Sequence, residues 1–377
     1  MILRATSRRG DSPYANAAAG SEKGRYLGGA LVPSAPRGYW WFRAGTRLSV
    51  LVERRVLIVG CLLAVVTVVL GLFAVGLGGS SVGFEQVFRI FIGEGRASAR
   101  FVVFELRIPR IVLAIVVGSA LGTAGAVFQV LTRNPLGSPD LIGFTMGAQT
   151  GILVSVVLFG GTLVPVPIAA LIGGLVAGTA IWMFSFRGGF GGLRLILAGI
   201  AISSMLGSLN RWLILRTDSD TAFGAITSVI GSLAGAGWER IIAVGPATLL
   251  IQALVLAMFR EVQVLDLGED LAVCLGTRVD RAQILLVLLG TALVALATTA
   301  AGPISFVALV APHLTRMLCR TATASLMVSA LFGAFLLLAA DVLSQSMLDS
   351  MPVGIVTSAV GGIYFMGLLL TEARKRQ

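Results

Sequence analysis

Charge is what this sequence has least of. Only 12% of its 377 residues are Asp, Glu, Lys or Arg, while 56% are hydrophobic; an ordinary soluble domain carries about 25% charge. The deficit runs along almost the whole length, which excludes a water-soluble fold. Lysine occurs only at Lys23 and Lys375. Neither stands beside a glycine loop opening a helix, so the chain has no phosphate-binding loop and any nucleotide energy must come from another chain. The only histidine is His313, and Cys61, Cys274 and Cys319 are far apart. That excludes a disulfide scaffold and a Cys/His metal cluster, and no cofactor or metal is expected on this chain. Acids are also missing from the apolar runs, apart from Asp341 at the end of one and Asp349 in a loop. An ion-coupled carrier usually keeps an acid or histidine at mid-membrane, so ion coupling is disfavoured, although backbone carbonyls can bind sodium.

What is present is length without charge. About 20 apolar residues span a hydrocarbon core of roughly 30 Å. Val56 to Leu77 and Ile111 to Thr132 supply the first two such runs. Leu141 to Phe186 is too long for one crossing and divides at Pro165 and Pro167 into a third and fourth. Leu195 to Leu215 and Ile241 to Phe259 follow. Ala282 to Thr315 breaks at Gly302-Pro303 into a full seventh and a short eighth, and Thr321 to Ala340 and Val353 to Thr371 complete the set. The expected fold is an all-α integral membrane protein of about ten helices, with a permease domain at 56–377 behind a basic tail at 1–55.

Ten crossings put both termini on one side, and basic residues near short loops say which. The tail is rich in arginine, Arg133, Arg187, Arg194, Arg260, Arg278, Arg281, Arg316 and Arg320 follow even-numbered runs, and Arg374-Lys375-Arg376 end the chain. Both termini are therefore expected in the cytoplasm. The tail, set among Ser, Gly, Ala and Pro, reads as largely disordered up to Gly38. A passive topology signal is its plainer reading and attraction to anionic lipid the sharper one. Tyr39, Trp40, Trp41 and Phe42 mark a candidate interfacial segment. Glycines recur three or four apart (Gly118, Gly122 and Gly125; Gly147 and Gly151; Gly174 and Gly178), a spacing that lets membrane helices approach closely. Gly188-Gly189-Phe190-Gly191-Gly192 reads as a turn, and His313 as a hydrogen-bonded histidine at a helix end.

Four segments resemble the membrane subunits of the iron-siderophore and vitamin B12 branch of ATP-binding-cassette importers, the FecCD type. They are Arg107-Ile108-Pro109-Arg110 with Gln129 to Gly143, including Asn134-Pro135-Leu136; Arg194 to Gly199; Leu267-Gly268-Glu269-Asp270-Leu271-Ala272, Leu275-Gly276, Ala301-Gly302-Pro303-Ile304-Ser305-Phe306-Val307 and Pro312-His313; and Ala340-Asp341-Val342 with Pro352-Val353-Gly354. Order and spacing match over about 270 residues.

The resemblance implies a dimer of membrane subunits, either two copies or a pair of paralogues, with two ATPase subunits beneath and an external substrate-binding protein above. The cargo would be a ferric siderophore or similar iron chelate; cobalamin and haem stay open, and nucleic acid is not an expected partner. It further implies that Arg107 and Arg110 stand outside to meet acids of the binding protein, unless they anchor a helix end. Where some relatives have another arginine, this chain has Gln345. Leu265 to Gly276 would form a short cytoplasmic helix docking on the ATPase, with Leu271 and Leu275 as its apolar face. The fifth and tenth helices would line the pathway. The chain would work in a bacterial cytoplasmic membrane and carry out no chemistry of its own.

Overall fold

The computed structural model describes residues 25–27, 30–32, 39–44, 48–77, 83–93, 96–160, 165–185, 192–218, 230–348 and 351–375. The glycine run up to Gly191, Lys23, Arg187, Arg376 and Asp349 lie outside them.

Within the basic N-terminal stretch, β1 (Arg25–Leu27) pairs antiparallel with β2 (Ala30–Val32), and β3 (Tyr39–Ala44) with β4 (Leu48–Glu53). The second hairpin sets Tyr39 opposite Glu53 and Ala44 opposite Leu48. The second hairpin lies beyond Gly38, where the expectation of disorder ended. The local runs Tyr39-Trp40-Trp41-Phe42 and Val50-Leu51-Val52 are aromatic and β-branched, which suits paired extended chain.

The remaining elements are helices: α1 (Arg54–Gly76), α2 (Phe84–Ile92), α3 (Ala97–Phe101), α4 (Ile108–Thr132), α5 (Pro139–Ile142), α6 (Phe144–Phe159), α7 (Val166–Ser185), α8 (Gly192–Leu215), α9 (Trp238–Ala257), α10 (Phe259–Asp266), α11 (Glu269–Cys274), α12 (Val279–Ala301), α13 (Val307–Cys319), α14 (Leu326–Met347) and α15 (Val353–Lys375). Among the described residues, seven helical stretches are long and apolar enough to cross a membrane. The apolar helices Phe144–Phe159, Val307–Cys319 and Val353–Leu368 are shorter. Together they are the ten expected crossings: α1, α4, α6, α7, α8, α9, α12, α13, α14 and α15.

The centre of the body is α4. A π-helical stretch, Val102–Arg107, joins α3 to α4, and the Ile108 amide donates to the carbonyl of Val103, five residues back. The wider turn has a local cause. Pro109 has no amide proton and its ring would press on the carbonyl four residues earlier. Beyond it α4 is buried almost continuously from Ile111 to Thr132, packed against α9, α12, α13 and α14. It can be enclosed so closely because its glycines carry no side chain. A Cβ on Gly118 or Gly122 would overlap the backbone of Gly333 or Ser329 on α14, and one on Gly125 the backbone of Ala308 on α13. Gly147 and Gly151 of α6 meet Gly173 and Ala169 of α7 in the same way. The glycine spacings are thus packing seams.

By contrast, α8 and α15 expose long apolar side chains: Leu197, Ile200, Met205 and Trp212 on one, Ile355, Val360, Ile363 and Met366 on the other. Between α6, α7 and α8 lies an apolar cavity of about 780 Å³ in which Thr150 and Ser155 are among the few polar groups.

Candidate functional site

Three places gather the polar groups of this charge-poor body: the two ends of α4, and the break between α12 and α13.

At the first end, Arg107 and Arg110 do not stand free. Arg107 is 9% exposed, and its Nη1 donates to the carbonyl of Val75 at 2.6 Å. That carbonyl belongs to the last turn of α1, where helix carbonyls lack intrahelical donors and a cation is favoured. Arg110 reaches across to α14. Its Nη2 donates to Asp341 Oδ1 at 2.7 Å and its Nε to both carboxylate oxygens at 3.1 Å. The Asp341 side chain is fully buried, and Gln345 Nε2 donates to its Oδ2 at 2.7 Å. Both arginines are engaged within the chain, as in the reading that they anchor a helix end. A buried carboxylate in apolar surroundings needs a charged partner, and Arg110 is that partner.

At the other end, α4 stops at Arg133, which takes the left-handed conformation (φ 48°). Asn134 then closes the turn by accepting the Leu136 amide on its side chain at 2.9 Å, with Pro135 between them. An asparagine side chain that accepts an amide two residues on closes such a turn without a helical hydrogen bond. The segment expected to dock on an ATPase folds as α10 and α11, which turn at Gly268 (φ 119°) and end at Gly276 (φ 79°). Both φ values favour glycine, which explains the glycines of this motif. Glu269 and Asp270 occupy the first turn of α11. Ala272 is buried inward, whereas Leu267, Leu271, Val273 and Leu275 are exposed, at 62%, 54%, 63% and 58%. The stretch from Leu267 to Leu275 thus presents a bare apolar tip.

The third place is the break. Gly302 (φ 72°, ψ −178°) ends α12, and Phe306 (φ 68°) precedes α13. The Gly231-Ser232 stretch ties this break to elements distant in sequence. The Ser232 amide donates to Ala301 O at 2.7 Å, and the Gly354 amide at the start of α15 donates to Gly231 O at 2.8 Å. Gly231 itself lies against Pro303. Pro352 begins the turn into α15, accepting the Ile355 amide at 3.0 Å. Pro312 lies inside α13. His313 stands mid-helix rather than at its end, edge-on to Tyr364 with ring centroids 6.0 Å apart.

Sequence reasoning gave no role to Asp140, yet it holds this break. Its carboxylate accepts the Thr145 hydroxyl at 2.7 Å and the Phe306 amide at 3.2 Å, supplying the cap that α13 lacks locally. Burial pushes this carboxyl up to about 6, against the opposing pull of the two donors. An acid directly after Ser138-Pro139 in an apolar stretch was the signal available in the sequence.

With this geometry in hand, similarity becomes informative. The FecCD transport family profile matches residues 64–371. The chain belongs to the FecCD transport family. The ferric enterobactin transport system permease protein FepG of Escherichia coli (strain K12) is 42% identical over 86% of this chain and 99% of its own length. The iron(3+)-hydroxamate import system permease protein FhuG of Bacillus subtilis (strain 168) is 32% identical over 83% of this chain and 97% of its own. Among solved structures, a metal-chelate type ABC transporter in an inward-facing conformation superimposes with TM-score 0.75 at 28% identity, covering 83% of this chain and 99% of that one. This FecCD chain is a multi-span membrane permease of the ABC importer class, and such a permease works with ATPase and permease partners.

Proposed function

We propose that this permease carries a ferric siderophore across the bacterial cytoplasmic membrane toward the cytoplasm. The observation that carries the reading is the match to the ferric enterobactin permease along 99% of that protein's length. The body agrees with such a cargo. Apart from Arg194 and Arg211, α8 carries no charge, and both α8 and α15 expose apolar side chains. A bulky chelate can pass such a wall without being held. A second permease subunit covers these faces, and the pathway runs between the two.

One ATPase subunit docks on α11 of each permease subunit, through Leu271, Val273 and the following Leu275, and the ATPases hold the ATP and magnesium that this chain has no loop to bind. Arg133, Arg260, Arg278, Arg281, Arg316 and Arg320 lie in the connections at that end or in the helix turns next to them, which supports a cytoplasmic face with both termini on the same side. A substrate-binding protein delivers the chelate at the Arg110 end. Since Arg107 and Arg110 are engaged inside the chain, the exposed Arg96 and Arg100 are the charges of the α1–α4 connection that steer it. The chain itself performs no chemistry and holds no metal.

The test is uptake of radiolabelled ferric enterobactin and radiolabelled cobalamin in cells deleted for this gene, with and without the restored copy. Loss confined to the ferric chelate is expected. Loss of cobalamin uptake instead would keep the architecture and replace the cargo.

A further inference from the structure

The segment that meets the ATPase is joined to the rest of the body by little. Its helix α11 has six residues, turns on a glycine at each end, and buries Ala272 while its other apolar side chains face outward. A helix this short has no stability of its own, so its position is set by what ties it down. On the side facing the body, one carboxylate oxygen does this. Glu269 Oε1 accepts Nη2 of Arg133 at 3.0 Å and Nε2 of Gln283 at 3.2 Å. Arg133 is the residue that ends α4, and Gln283 lies in the second turn of α12. Three residues before Glu269, Asp266 Oδ2 accepts the Thr323 hydroxyl at 2.6 Å, a contact with the α13–α14 turn. Arg133 and Glu269 are about half exposed, with side-chain exposures of 45% and 40%. A pair in that setting can part and re-form without stranding a buried charge.

Resting on the ABC permease reading above, we propose that Glu269 is a positioning residue for energy coupling. It is the joint through which movement of the ATPase-bound α11 is passed to the end of α4 and the start of α12. The consequence is directional. α4 runs through the centre of the body and is locked to α14 by its glycine seam, so displacement at Arg133 is passed to elements that reach the opposite face.

The experiment uses the complete transporter in proteoliposomes and reads ferric enterobactin taken up per ATP hydrolysed, with ATPase retention on affinity-purified complexes as a second readout. Arg133→Glu and Glu269→Arg singly should lower uptake per ATP by about three- to tenfold, in the range by which residues along a coupling network change it. The ATPase should stay bound. The double exchange should restore the ratio to within about twofold of wild type, because the pair is re-formed in reverse. Glu269→Gln, which keeps shape and an acceptor for Gln283 but loses the charge, should fall between. An unchanged ratio in both single variants overturns the proposal. So does release of the ATPase from either single, since Glu269 would then be part of the docking contact itself. Wild-type uptake in the same vesicles belongs to the cargo assignment and is scored separately from the ratios between variants.

Discussion

The two ends of α4 each carry an arginine paired to a distant acid, and the two pairs are built differently. Arg110 and Asp341 meet through three donor contacts, the acid is fully buried, and Gln345 supplies a further donor. Arg133 and Glu269 meet through one contact and both remain about half exposed. The first can be broken only by leaving a carboxylate in apolar surroundings. The second exchanges readily with water. One end of the helix is therefore built as an anchor, and the other suits the joint proposed above.

The contrast can be broken or sharpened by four substitutions. The largest effect is expected from Asp341→Ala, which leaves Arg110 unpaired beside α14 and should cost about 3–5 kcal/mol. Its signature is a lowered unfolding midpoint in detergent, and a midpoint equal to wild type would mean that Arg110 finds water or another acceptor at no cost. Next is Gly122→Val, which drives a branched side chain into the Ser329 backbone. The overpacking should cost about 1–3 kcal/mol and separate α4 from α14, a change readable in the same thermal assay. Leu271→Asp should leave the fold intact yet release the ATPase, because it puts a charge at the bare tip; co-purification at wild-type yield would remove α11 from the docking surface. The smallest stability effect is expected from Arg133→Met, below about 1 kcal/mol, as for other exposed pairs. A midpoint loss as large as that of Asp341→Ala would erase the distinction between anchor and joint.

Much of the architecture could be read from the order of residues alone. A run without charge has the same meaning wherever it folds, so all ten crossings were visible, as were the Gly302-Pro303 break and the short segment after α10. The reading failed where charge was neutralised within the fold. The ninth run was expected to end at Ala340, ahead of Asp341, and the second to begin at Ile111, after Arg110. The helices instead continue through both residues, to Met347 and back to Ile108. Both errors come from the same ion pair, whose partners lie 231 positions apart. Charge was taken as a boundary, whereas the folded chain had cancelled it. The pairing of Arg133 with Glu269 was hidden for the same reason, although each residue had been noted separately. The capping of α13 by Asp140 depends on a backbone amide 166 residues away, and nothing periodic in the sequence announces it.

The glycine seam between α4 and α14 has a consequence for how this gene can vary. Every single-base missense change in a glycine codon installs at least a β-carbon. At Gly118, Gly122, Gly125 and Gly333 that carbon falls on a neighbouring backbone rather than on a side chain able to rotate away. One-step missense changes at these four positions are therefore expected to be eliminated almost uniformly, whatever the replacement. Along the exposed faces of α8 and α15 a saturation library should instead accept one apolar residue for another. A dense mutational scan of this gene should trace the buried helix as a periodic row of intolerant glycines.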